Sequence, residues 1–174
     1  LHDALPISDR RVRRAAQRGV EQVAAGAGDT ACCLLGMGIC AEEEVFLSCG
    51  STDNLVRLAS RPQFDNGLVK SSFLDDRHWL NVGTTNASGA AIQWFVETHL
   101  GGSYERFLAL CSQSEPGAGG VVFLPYLWGE RTPLYDPHAR AVFFGISGAS
   151  GLANLARSVA EGVCLADRHI LQTF

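Results

Sequence analysis

An aspartate that follows a glycine-rich step is the first feature of this sequence able to do chemistry. Asp29 comes directly after Gly26-Ala27-Gly28, where a strand predicted over 20–25 gives way to a helix predicted over 30–39. Glycine lets the backbone approach a ligand closely, and the start of a helix favours phosphate. Asp29 could therefore lie beside a bound ligand. It could equally cap the helix, which is the commoner role for aspartate at this place, and local pattern favours the cap.

The same glycines also form part of a dinucleotide-binding fingerprint. The full pattern requires a third glycine, and Ala31 stands at that position. An acidic residue is expected about 20 positions later, where Cys49 and Gly50 occur instead. A dinucleotide-binding oxidoreductase therefore remains an alternative that rests on a weak signal.

A second candidate site is the small-residue segment Gly50-Ser51-Thr52. It lies between two apolar runs, 45–48 and 54–58, which predict a β-hairpin. Backbone N–H groups and two hydroxyls in a tight turn suit the oxygens of a phosphate. By spacing alone, a hairpin turn built from ordinary turn-forming residues is the simpler interpretation.

A third polar cluster occupies a loop predicted over 128–140. Within it, Glu130 and Asp136 accompany Arg131 and Arg140. Bidentate arginine–carboxylate pairs could pin such a loop. A structural role is therefore favoured over catalysis, and His138 is interpreted as a loop histidine.

The remaining elements must position these groups. Apolar periodicity predicts helices over 10–19, 87–100 and from Gly151 onward, and extended segments over 77–82 and 121–127. Gly101-Gly102 ends the helix over 87–100, whose predicted core face comprises Ala91, Trp94, Phe95 and Val96. Strands mixed with helices predict an α/β fold.

Composition excludes several classes of protein. The 174 residues are 47% hydrophobic and 18% charged with a net charge of -4, which favours neither nucleic acid nor a membrane as partner. Six cysteines include no CxxC pair, so neither a zinc site nor a disulfide framework is predicted, and a cytoplasmic location is expected. Residues 1–8 are interpreted as a segment of non-native origin and are not used to predict the fold.

Taken in order from about Val20 to the C-terminus, these segments resemble the FGGY carbohydrate kinases. The most specific segments are 123–133 and 136–140, followed by Phe143-Phe144-Gly145-Ile146 and Ala160-Glu161-Gly162. The resemblance implies a ribonuclease H-like (actin-like ATPase) domain that is incomplete at both ends. Residues 9–40 would end the N-terminal domain and residues 41–174 would begin the C-terminal domain. The early aspartate-containing strand and the late glycine-rich motif of the family would be missing, so we expect a fragment that is inactive alone.

The same resemblance implies transfer of the γ-phosphoryl group of ATP, with Mg2+, to a sugar or polyol hydroxyl. Asp29 would be the catalytic base, and Asp29 with Thr30 would contact the sugar, with xylulose-like substrates favoured. Gly50, Ser51, Gly89 and Gln93 would contact the nucleotide. No protein metal ligand is expected, and a homodimer is possible.

Two departures from the family pattern bear on the structure. Many relatives have a small residue at the position of Asp53, where a carboxylate could repel phosphate, and a larger aliphatic residue at Ala160. Three hypotheses follow: a kinase segment, an oxidoreductase fragment, and a non-catalytic assembly domain with a large exposed apolar patch. The kinase hypothesis requires the turn at Gly50-Ser51 to face the start of the helix near Gly89.

Overall fold

A four-stranded sheet is the centre of the part of the chain that the structure, a computed structural model, describes: residues 27–39, 41–42, 44–62, 67–73 and 77–174. Its strands are β1 (Val45–Ser48), β2 (Asn54–Ala59), β3 (Val69–Ser72) and β4 (Trp79–Thr84), in the spatial order β1-β2-β4-β3. Each neighbouring pair is antiparallel. The predicted hairpin and the predicted strand near 77–82 are confirmed, whereas the predicted segments 10–19 and 20–25 lie outside the described residues.

Both faces of this sheet are covered, because side chains alternate along each strand. On one face, Val56, Leu58 and Leu80 pack against helix α1 (Asp29–Gly36), which contributes Ala31 and Leu34. On the other face, Leu55 and Leu68 pack against Ile170. A β-carbon at Gly83 of β4 would stand 2.2 Å from Cγ2 of Ile170, so glycine is needed for this close approach.

Three further helices build a second core beside the sheet. They are α2 (Gly89–Leu100), α3 (Tyr104–Ser112) and α4 (Leu152–Leu171). The core that they enclose is largely aromatic and aliphatic and includes Phe95, Phe107, Phe123 and Val159. The predicted core face of α2 is confirmed for Ala91, Phe95 and Val96, which are buried, while Trp94 is partly buried.

The ends of α2 and α3 follow from their sequence. Gly101 adopts φ 65°, the left-handed conformation that glycine tolerates best, and ends α2 as predicted. Ser103 then caps α3, because its Oγ accepts a hydrogen bond from the N–H of Arg106 at 3.1 Å.

A two-stranded antiparallel sheet, β5 (Val122–Leu124) with β6 (Val142–Phe144), lies against α4. The prediction of a strand over 121–127 was too long, because Pro125 has no N–H to continue the ladder. The inner side chains Phe123 and Phe143 pack with their rings 4.6 Å apart. The outer side chains are exposed and apolar: Val122, Leu124, Val142 and Phe144.

The loop over 128–140 is held by the end of β4. Thr132 donates its N–H to the carbonyl of Thr84 at 3.1 Å, and Arg131 donates Nη2–H to the carbonyl of Thr85 at 2.8 Å. The carboxylate of Glu130 accepts the N–H of Asn86 at 2.7 Å. The loop is pinned as predicted, but arginine–carboxylate ion pairs do not form within 128–140, all of which the structure describes. Its partners are backbone groups that the sequence pattern did not identify.

Candidate functional site

The turn between β1 and β2 meets the start of α2 through three hydrogen bonds. The carbonyl of Ser51 accepts the N–H groups of Ser88 and Ala90 at 3.0 and 3.1 Å, and the carbonyl of Gly50 accepts that of Gly89 at 3.0 Å. The predicted meeting of this turn with the helix start is therefore confirmed. Because these helical donors are taken by the turn, they are not available to a ligand.

Gly89 makes this close approach possible. A β-carbon at position 89 would stand 2.5 Å from the carbonyl oxygen of Gly50 and 3.3 Å from its carbonyl carbon, and both are backbone atoms that cannot rotate away. Glycine at the start of α2 is thus required by contact between two backbone segments.

A groove of about 450 Å³ opens beside this junction, within the size range of small-molecule sites. Gly50, Ser51, Gly89 and Gln93, which the family resemblance associates with nucleotide, all line it. One wall is apolar and comes from α2 and α3: Ile92, Tyr104, Phe107 and Leu108. The sequence did not predict α3, although the serine cap at Ser103 was a usable signal.

The carboxylate of Asp53 points into the protein and not toward the groove. It accepts hydrogen bonds from the N–H of Gly50 at 3.0 Å and from Oγ of Ser88 at 2.5 Å. The backbone N–H of Asp53 donates to Oγ1 of Thr85 at 2.9 Å, and the residue is only 2% exposed. The direction of this side chain, on which any repulsion of phosphate depends, is thus inward, because two local donors hold the carboxylate there.

This arrangement changes which atoms of the turn face a ligand. The N–H of Gly50 is used by Asp53, so the candidate donors are those of Ser51 and Thr52. Ser51 is exposed and Thr52 partly exposed. Gln93 is also exposed and donates its amide to Oε1 of Glu97 at 2.7 Å, which directs its side chain along the helix surface.

Asp29 occupies the first position of α1 and is not its cap. The N-cap residue is Gly28, and Oδ1 of Asp29 accepts the N–H of the next residue, Thr30, at 2.7 Å. The interpretation of Asp29 as the helix cap is therefore wrong, because the helix starts at Asp29 itself, one residue earlier than capping by Asp29 requires. Asp29 is exposed, and neither it nor Thr30 is among the residues that line the groove.

A second carboxyl, that of Asp167 of α4, lies close enough to Asp53 for the two side chains to interact. Burial and the neighbouring charges of Asp53 and Glu130 raise the pKa of Asp167 to about 7. Burial also raises the pKa of Glu130, although hydrogen bonds from two backbone N–H groups act in the opposite direction. No local sequence pattern indicated a role for Asp167, because its interaction with Asp53 joins residues far apart in the chain.

Groups of three or more His, Cys, Asp or Glu side chains able to hold a metal ion are absent from the described residues. Nor does any helix in the described part of the chain combine the length and apolar character needed to cross a membrane.

Comparison with known proteins identifies the family. The profile described as "FGGY family of carbohydrate kinases, C-terminal domain" matches residues 45–174, which is well over half of the chain. The chain belongs to the FGGY family of carbohydrate kinases. Xylulose kinase of Staphylococcus epidermidis is 34% identical over 144 residues, covering 81% of this chain and 29% of that protein. Gluconokinase of Bacillus subtilis is 29% identical over 150 residues, covering 79% of this chain.

Solved structures of FGGY kinases share the fold. The crystal structure of xylulose kinase from Bifidobacterium adolescentis matches with a TM-score of 0.77 and 30% identity, over 85% of this chain and 29% of that chain. Glycerol kinase of Plasmodium falciparum, solved with ADP, has a TM-score of 0.74 at 19% identity, which supports the fold alone. This chain thus spans about 29% of the length of the curated relatives that it matches.

The family assignment favours the kinase hypothesis over its two alternatives. A groove was expected for a kinase segment and an exposed apolar patch for an assembly domain. The structure has both, in the groove beside Gly89 and in the exposed apolar face of β5 and β6, so geometry alone does not separate these two hypotheses. The oxidoreductase hypothesis requires a parallel strand beside residues 20–25 with an acidic residue at its end, and residues 20–25 lie outside the described part of the chain.

Proposed function

We propose that this chain is part of an ATP-dependent sugar kinase and that its groove receives the nucleotide. One observation carries the proposal: four residues that the family associates with nucleotide, spread from Gly50 to Gln93, line one groove. The phosphates would lie against Ser51 and Thr52. The apolar wall from α2 and α3 would pack against the less polar part of the nucleotide.

The acceptor is a sugar or polyol, with a xylulose-like substrate favoured. Relatives named xylulose kinase and gluconokinase both match this chain, and these names indicate a sugar or a sugar acid as the phosphoryl acceptor. Asp29 and Thr30 would contact the sugar from α1. The domain would be of the ribonuclease H-like (actin-like ATPase) type, beginning near residue 41, and the likeness to solved FGGY kinases supports this assignment.

Asp29 would accept the proton of the attacking sugar hydroxyl. A carboxylate is a weak base toward an alcohol, so its contribution belongs late in phosphoryl transfer, after the hydroxyl oxygen has begun to bond to phosphorus. Positioning of the two substrates would supply most of the catalysis. Mg2+ bound to the ATP phosphates would neutralise charge that develops during transfer.

The nucleotide part of the proposal is testable on this chain. We expect ATP to bind in a calorimetric titration, and Gln93→Ala, at the groove, to weaken binding more than Glu115→Gln, at an exposed site away from it. Absence of measurable ATP binding by the wild-type chain, or equal affinities of the two variants, would contradict the assignment of this groove.

The catalytic part requires the longer protein that the proposal implies. ATP turnover would be measured on a panel of ketoses, sugar acids and polyols with wild type and Asp29→Asn. Loss of a general base lowers turnover by roughly 10²–10⁴-fold, and we expect a decrease of that order in kcat. Unchanged turnover in Asp29→Asn would remove Asp29 from the mechanism, and absence of turnover on every sugar would remove the kinase activity.

A further inference from the structure

Asp53 holds the turn of the proposed phosphate site in place. Its carboxylate accepts hydrogen bonds from Gly50 in the turn and from Ser88 at the start of α2, while its own N–H donates to Thr85. One buried side chain therefore joins the turn to the segment that precedes the helix. Movement of this carboxylate would change the geometry of Gly50 and Ser51 directly.

The carboxyl of Asp167 approaches Asp53 from α4. Two ionised carboxylates in contact repel each other, and a buried oxygen without a donor is costly. Oδ1 of Asp167 is buried and has no donor among the described residues, whereas both oxygens of Asp53 have donors. A proton on Asp167 removes the repulsion and gives this carboxyl a hydrogen to donate.

Other titratable and charged groups surround this pair. Glu130 approaches Asp167 from the loop over 128–140 and adds negative charge. Cys49 precedes the turn. Burial raises the pKa of its thiol, and the neighbouring groups Asp53, Asp167 and Cys164 raise it further. Arg131 and His169 lie near Glu130 and lower the pKa of its carboxyl, against the larger effect of burial. The pKa of Asp167, raised to about 7, is consistent with a proton held near neutrality.

We propose that Asp53 is a positioning residue of the phosphate turn and that a proton shared with Asp167 ties this turn to α4, so that the turn loosens when the proton is lost. The consequence for nucleotide rests on the proposed function. The effect on the turn itself does not, because it concerns only contacts within the chain.

Hydrogen–deuterium exchange on the 174-residue chain tests the effect on the turn. Protection of the segments over 49–53 and 85–90, corrected for intrinsic exchange, would be compared at about pH 6 and about pH 8, on either side of the titration. Asp167→Asn keeps a donor beside Asp53 and removes the titration. Glu115→Gln, at an exposed surface carboxyl, is the matched control.

We expect protection of the turn to fall between these two pH values in wild type and in Glu115→Gln, and to stay constant in Asp167→Asn. A purely structural role for Asp167 would leave no such difference in pH profile. If protection of the turn is independent of pH in wild type, or falls equally in Asp167→Asn, the proposal of a shared proton is wrong.

The role of Asp53 has its own test at about pH 6, where the proton is in place. Asp53→Asn should lower protection of the turn about tenfold, as expected when charge-assisted hydrogen bonds are lost. Ser88→Ala removes one of the two donors and should cause a smaller decrease in the same segment, which keeps the test valid if Asp53→Asn does not fold. Unchanged protection in the folded variants would overturn the positioning role.

ATP titration separates this inference from the proposed function. Failure of wild type to bind ATP would refute the nucleotide site and leave the exchange result to decide the shared proton. If wild type binds ATP, we expect its affinity to fall relative to Asp167→Asn between about pH 6 and about pH 8. The variants are compared at equal pH because ATP also titrates, and a constant ratio would overturn the link from the proton to the ligand.

Discussion

Gly89 is the residue at which the absence of a side chain matters most for the groove. The start of α2 approaches the carbonyl of Gly50 so closely that an added β-carbon would stand 2.5 Å from that oxygen. Both partners are backbone, so one segment has to move if the side chain grows. The turn is the shorter of the two segments, and we expect it to be displaced.

Gly89→Ala should therefore weaken ATP binding and destabilise the fold. Overpacking of this kind costs about 1–3 kcal/mol in free energy of unfolding, to be measured by urea denaturation alongside calorimetric titration with ATP. Gly36→Ala in α1 is the matched control, since its β-carbon meets nothing within 4 Å. Equal effects of the two substitutions would contradict the assigned contact.

Helix α4 is the element that joins the two cores. Near its middle, Gly162 packs on the carbonyl of Phe123, and near its end Ile170 packs on the large sheet. Between them, Asp167 reaches the turn of the proposed site. The carboxylate of Glu161 also accepts the N–H of Gly117 at 3.0 Å and pairs with Arg157 at 2.6 Å. Movement of this helix would affect both cores and the turn.

The substitution Gly162→Ala tests this packing, because helix propensity and close packing predict changes of opposite sign in the free energy of unfolding. Helix propensity alone predicts stabilisation, because alanine is the better helix former by about 1 kcal/mol. A β-carbon at position 162 would stand 2.3 Å from the carbonyl oxygen of Phe123, so we expect destabilisation by about 1–3 kcal/mol instead. Urea denaturation measures the difference, with Leu165→Ala on the exposed side of the same helix as control. A stabilised Gly162→Ala variant would refute the contact.

At the scale of the whole molecule, buried carboxyls make stability depend on pH. The pKa of Asp167 in the folded chain is about 7, above the value of about 3.9 for an unfolded aspartate. The folded state thus binds more protons than the unfolded state between these values, and the contribution to stability falls as pH rises through this range. Burial raises the pKa of Glu130 as well, with an effect of the same sign.

The substitution Asp167→Asn should remove part of the dependence of folding stability on pH. We expect the free energy of unfolding of Asp167→Asn to rise relative to wild type as pH increases from about 4 to about 7, and the difference to level off above that range. Urea denaturation at a series of pH values measures it, with Glu115→Gln as the control that should follow wild type. Parallel curves for wild type and Asp167→Asn would show that this carboxyl does not titrate as described.

The sequence alone determined the elements whose signals are local. The β1–β2 hairpin, α2 with its glycine end, and α4 follow from apolar spacing and from turn residues a few positions apart. The short elements β3, α3 and β6 were missed, because four, nine and three residues carry too little periodicity to be recognised. The resemblance carried by the motifs pointed to the four groove residues.

The use made of the side chains in the site depends on contacts between distant parts of the chain. The sequence left the direction of the Asp53 carboxylate open, and in the structure it faces Gly50 and Ser88, which lies 35 positions away in the sequence. Asp167 had no motif at all, and its role depends on where α4 passes behind the turn. Spacing along a chain encodes which residues share a face of one element. It does not encode which donors and charges another element brings to a carboxylate, and those neighbours determine its direction and its proton.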